Sequence, residues 1–171
     1  DYSYLPDEIK CHFISLDIFF ICLPADLVLY FRNIFSKCNI LINQIICSSY
    51  AKSINYKKSL NLTGQVSLLD VGFNKTSIIS YFNNKILSLD VLLVGGNHIT
   101  QDISKILEID LQRSEQIKLN FDKTLKLLND ENISIETLQK IIIARTEEIL
   151  ELSTKSIQSN SHGLGQFKLV L

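Results

Sequence analysis

Between Thr76 and Val94 two apolar runs, Thr76 to Phe82 and Lys85 to Val94, are separated by nothing but Asn83-Asn84. Asparagine tolerates the left-handed backbone that a tight two-residue turn requires, so this spacing predicts an antiparallel hairpin. A third run, Val66 to Asp70, lies a few residues upstream. Three neighbouring strands are therefore expected in the middle of the chain.

Around them the spacing changes. Phe13 to Phe31 is the longest apolar stretch, but Asp17, Pro24 and Asp26 interrupt it, and a bilayer helix needs about twenty uninterrupted apolar residues. It reads as a strand from His12 to Leu23, stopped by Pro24, and then a helix over Ala25 to Lys37 with Leu27, Val28, Phe31, Ile34 and Phe35 at helical spacing. Ile40 to Cys47 reads as another strand, followed by a short helix through Ala51 and Ile54, and Asn55 to Gly64 as a polar surface connection. Beyond the hairpin, helical patterns cover Ile99 to Leu107 and Gln112 to about Phe121. A long helix from Ile135 to Ile157 has Ser134 as N-cap and Glu136 in its first turn. Leu138, Ile142, Ile149 and Leu152 fall on one of its sides. A Ser/Asn/Gly loop from Gln158 to Gly165 leads to a last strand, Phe167 to Leu171. Strands with helices between them and a charged helical section before the return to strand predict an α/β sheet domain carrying an insertion. Its expected parts are a leading segment 1–10, a sheet with helices over 11–118, a helical insertion over 119–157, and a loop and return strand over 158–171.

Composition narrows the function classes. A net charge of -1 and a pI near 6.3, with scattered lysines, provide no basic face for nucleic acid. Cys11, Cys22, Cys38 and Cys47 lack CxxC spacing and lie in apolar stretches, where cysteine acts as a small hydrophobe; they suit a reducing, cytoplasmic setting. No His/Cys group has metal-ligand spacing, and His12, His98 and His162 lack catalytic partners nearby in sequence. The 171 residues include no methionine, even at position 1, which reads as a piece of a longer protein.

Two elements carry chemistry. One is the strand end Leu68-Leu69-Asp70-Val71-Gly72, where an acid beside a glycine suits a phosphate or its metal ion. The other is Val94-Gly95-Gly96-Asn97-His98-Ile99-Thr100, a glycine turn entering a helix whose free amides and positive dipole end also suit an anion. Each by itself is equally a plain turn.

Together with Asp102-Ile103, with Ser114-Glu115-Gln116-Ile117-Lys118, and with the helix Ile141-Ile142-Ile143-Ala144-Arg145-Thr146-Glu147-Glu148-Ile149-Leu150-Glu151-Leu152, the glycine segment resembles the bacterial cell-division family FtsA of the actin-like ATPases. The resemblance implies an actin-like (ribonuclease H-like) sheet domain, called 2A in that family, with an inserted, mainly helical subdomain 2B. It implies ATP and Mg²⁺ as cofactors. Gly72, Gly95 and Gly96 would approach the nucleotide, Glu115 and Lys118 would hold its ribose and adenine side, and Asp70 would organise the metal ion and the attacking water. Without the resemblance, Asp70 is a strand-end cap and Glu115/Lys118 a solvated ion pair.

This chain departs from the family pattern Asp-Ile-Gly-Gly-Gly-Thr-Thr-Asp. It has Asp70-Val71-Gly72-Phe73-Asn74-Lys75-Thr76-Ser77, so two glycines become Phe73 and Asn74 and the closing acid becomes Ser77. A phenyl ring at a phosphate contact and a hydroxyl at a metal both point to impaired hydrolysis. The implied role is an adaptor that links FtsZ filaments to the inner face of the cell membrane at the division septum. The C-terminal peptide of FtsZ would dock at Arg145 and Glu148, with Ile141 and Ile149 as its apolar shelf. Self-association into actin-like filaments is implied too, with membrane attachment through a C-terminal helix outside these residues. Two other readings stay open, a pilus-assembly-type relative and an active actin-fold ATPase.

Overall fold

The computed structural model describes residues 12–15, 18–59, 64–121, 134–160 and 168–171. Helix α1 spans Ala25–Lys37 and α2 Ser48–Ser59; strands β1 (Gln65–Val71), β2 (Thr76–Phe82) and β3 (Lys85–Leu92) follow. Then come α3 (Gly96–Leu107), α4 (Leu111–Leu119), the 26-residue α5 (Ile135–Asn160) and β4 (Lys168–Val170).

The sheet order is β3-β2-β1-β4, with β4 parallel to β1 and the other pairs antiparallel. The expected hairpin forms at Asn83 and Asn84, whose φ angles of 45° and 71° are left-handed. Register assigns the faces. Leu68 pairs with Ile79 and Val66 with Tyr81, and these four form one buried cluster with Val170 packed on it. Leu69 opposite Ile78 points to the other face, where Ile157 of α5 completes a second cluster. Period-two alternation thus gives one apolar layer to each face. The first face carries α2, for the Tyr81 hydroxyl donates to Ser53 Oγ at 2.7 Å.

A third cluster lies among the helices: Ile103 of α3, Ile117 of α4, and Leu138 and Ile141 of α5. At 1.5 Å per residue α5 is about 39 Å long, so one end can enter this cluster while Ile157 reaches the sheet. Ser134 caps it as expected, accepting from Thr137 N at 3.2 Å.

Several expectations are corrected. Residues 12–15 and 18–23 form no strand, nor do Ile40 to Cys47; Phe13 and Phe20 are 83% and 76% exposed. Phenylalanine and isoleucine favour strands, but a strand exists only where a neighbour accepts its backbone hydrogen bonds, and neither run has one among the described residues. Helix α1 has the expected bounds yet buries no residue. Helix α2 continues through 55–59, and α5 runs to Asn160. Leu152 is 37% exposed, so Leu138, Ile141, Ile149 and Ile157 carry the buried side of α5 instead. Cys22 and Cys38 are exposed free thiols rather than packed hydrophobes. The loop around His162 and Phe167 lies outside the described residues. Among those described, no helix is long and apolar enough to cross a membrane.

Candidate functional site: a cleft wall built on two loops

The β1–β2 loop closes on itself through Gly72 N to Lys75 O at 2.9 Å and then docks on the start of α3. Gly96 N donates to Gly72 O at 2.9 Å and Asn97 N to Phe73 O at 2.7 Å. Asn97 Nδ2 reaches Asn74 Oδ1 at 2.9 Å, and Thr76 Oγ1 donates to Val94 O at 2.7 Å. Gly95 N donates to His98 Nδ1 at 3.2 Å while His98 N returns to Gly95 O at 3.0 Å, so His98 is a helix-start residue as its position suggested.

This network explains the two glycines unequally. A Cβ on Gly95 would stand 2.4 Å from Gly72 O and 2.8 Å from Phe73 O, both backbone atoms that cannot step aside. On Gly96 it would meet nothing nearer than 3.6 Å. The network also changes the chemistry expected at α3. The amides of Gly96 and Asn97, which at a bare helix start would be available to an anion, are donated to the loop's own carbonyls.

Helix α4 joins the same junction. Lys118 Nζ donates to Gly96 O at 3.0 Å, Thr100 Oγ1 at 2.8 Å and Glu115 Oε2 at 2.7 Å, using three donors on three partners. The Phe73 ring centroid lies 5.9 Å from the ammonium, within cation–π range. Burial pushes the Glu115 carboxyl up, but hydrogen bonds from Lys118 and Thr100 and the Lys118 charge outweigh it and hold the group below the usual carboxylate range. Gly72, Gly95, Gly96, Glu115 and Lys118 are therefore brought together at one hydrogen-bonded junction.

Asp70 faces elsewhere. It has the same strand parity as Leu68 and Val66, so the pleat turns it toward α2, where Lys52 Nζ meets Oδ2 at 2.7 Å. The Asp70 hydrogen bond, with its charge, raises the Lys52 ammonium above its ordinary range. Ser77 lies opposite Asp70 in register and accepts from Ser49 Oγ at 2.8 Å. These groups, with Ser53, line a cavity of about 290 Å³ under α2. Lys52 was not legible as a site residue, because a pairing 18 positions apart leaves no periodic trace.

Arg145 and Glu148 lie on α5. Arg145 grips both oxygens of Asp102 on α3, Nε to Oδ2 at 2.7 Å and Nη2 to Oδ1 at 3.0 Å, and its Nη1 bonds Glu148. Ile141 and Ile149 are internal at 7% and 3% exposure, so the expected apolar shelf is different. Ile106, Ala144 and the edge of Ile141 line the shallow groove beside the charged pair.

A family model described as cell division protein FtsA matches residues 67–163. The chain is 26% identical over 136 residues to the cell division protein FtsA of Buchnera aphidicola from Schizaphis graminum, covering 71% of this chain and 32% of that protein. It is 32% identical over 109 residues to FtsA of Bacillus subtilis, covering 55% of this chain and 25% of that protein. It thus spans about a third of the length of the first of these relatives and a quarter of the second. The crystal structure of MreB 5 of Spiroplasma citri bound to AMPPNP superposes with a TM-score of 0.59 at 14% identity, over 83% of this chain and 50% of that one, a likeness of fold. The sheet, the helices stacked on it and the matched residues carry one conclusion: this chain belongs to the FtsA family of cell-division proteins and has its actin-like α/β fold.

Proposed function

We propose that this chain forms the 2A/2B part of an FtsA-type adaptor that joins FtsZ filaments to the inner membrane face at the septum. The observation that carries the reading is the groove between α3 and α5, with Ile106 and Ala144 on its floor and Arg145 and Glu148 at its rim. Asp102 fixes the guanidinium before any partner arrives, which lowers the ordering cost of docking a short peptide. ATP is held weakly at the wall formed by Gly72, Gly95, Gly96, Glu115 and Lys118. Hydrolysis is impaired, because Phe73 replaces a glycine and Ser77 an acid where phosphate and metal ion would be handled. Self-association into filaments belongs to the same reading.

The test is capture of the FtsZ C-terminal peptide by the full chain. Glu148→Lys is the sharper variant, since it leaves the Arg145–Asp102 pair in place; Arg145→Glu also breaks that brace. Loss of capture in Glu148→Lys is expected. Equal capture by the unsubstituted chain and both variants overturns the docking site.

A further inference from the structure

The FtsA and actin-like resemblance implies a divalent ion beside Asp70, and the donor set there does not fit one. Mg²⁺ demands hard oxygen ligands in near-octahedral array and is usually held by one or two carboxylates with several waters. Here the carboxylate of Asp70 is already met at 2.7 Å by the ammonium of Lys52. The residue across the ladder that would supply a second acid is Ser77, buried at 3% exposure and bonded to Ser49. Among the described residues no three of His, Cys, Asp and Glu gather as a metal group.

We propose that Lys52 is the resident cation of the Asp70 cleft, its ammonium standing where a divalent ion would otherwise sit, so that this cleft excludes Mg²⁺. The ion pair is half-exposed, and such a pair is weak against bulk water. Exclusion does not depend on its strength alone. An entering ion would have to displace the ammonium, gain a single carboxylate, and remain close to the displaced positive charge. The lysine chain is tethered to α2, whereas a soluble ion must be captured from dilute solution. The assignment is independent of nucleotide binding and is read with the metal alone.

The experiment titrates Mn²⁺, a paramagnetic substitute for Mg²⁺, into the full chain without nucleotide, following free ion by electron paramagnetic resonance. The unsubstituted chain is expected to bind none, and Lys52→Met, at an exposed position where folding is not at stake, to gain a site that Asp70→Asn removes. Removing one unit charge beside a surface carboxylate supports a gain of about tenfold or more in affinity. Stoichiometric binding by the unsubstituted chain, abolished by Asp70→Asn, overturns the proposal. So does a folded Lys52→Met chain with no gain, since the ammonium would then not occupy a cation position.

Discussion

Arg145 and Asp102 are 43 positions apart in sequence, yet the guanidinium of one holds both carboxylate oxygens of the other, bracing α5 against α3. Both side chains are about three-quarters buried, so the pair is less screened than a surface one. A double-mutant cycle with Asp102→Asn and Arg145→Met should give a coupling of about 1–2 kcal/mol, measured by urea unfolding. A coupling near zero would mean that the brace contributes nothing to α3–α5 packing.

Adjacent glycines should respond unequally. Gly95→Ala forces a Cβ against three backbone atoms of the β1–β2 loop and is expected to cost about 2–4 kcal/mol. Gly96→Ala enters only ordinary contact and should stay within about 0.5 kcal/mol of the parent, checked by the same denaturant midpoints. Equal costs would show that the loop does not press on Gly95.

The Glu115 carboxyl is held below its ordinary value of 4.5, so its stabilising effect is complete above that value and disappears as pH falls through the lower, folded value. Glu115→Gln should therefore be less stable than the parent at about pH 7 and converge on it once the pH has fallen below the lowered, folded-state value, where both lack the charge. A deficit that persists unchanged in acid would point to packing and not to the carboxylate.

Leu138 is fully buried in the cluster that joins α3, α4 and α5. Leu138→Ala should cost about 3 kcal/mol and speed amide exchange in α3 and α4 more than in β1 and β2. Uniform loosening would show that helices and sheet unfold as one unit.

Much of this molecule was legible from local pattern. Asn83-Asn84 placed the hairpin, the short apolar runs on either side of it and just upstream placed β1 to β3, and Ser134 with the apolar spacing after it placed α5. The glycine segment and the helix of Glu115 and Lys118 pointed to one cleft wall, and their side chains and backbone do meet. The apolar runs before Pro24 and before Ser48 misled, because their composition states a preference for strand and cannot supply a neighbour to pair with.

What the sequence determined by itself is what neighbours along the chain impose: turns, caps, helical and strand periodicity, and family membership through a contiguous motif. The tertiary structure alone decided where those elements spend their polar groups. It gave the α3 amides to the carbonyls of Gly72 and Phe73, turned Asp70 to Lys52, and closed Arg145 on Asp102. Each of these pairs joins residues 18 or more positions apart, brought within hydrogen-bond range by strand register and helix packing. Local spacing carries no record of such meetings, because they depend on which faces bury apolar surface together.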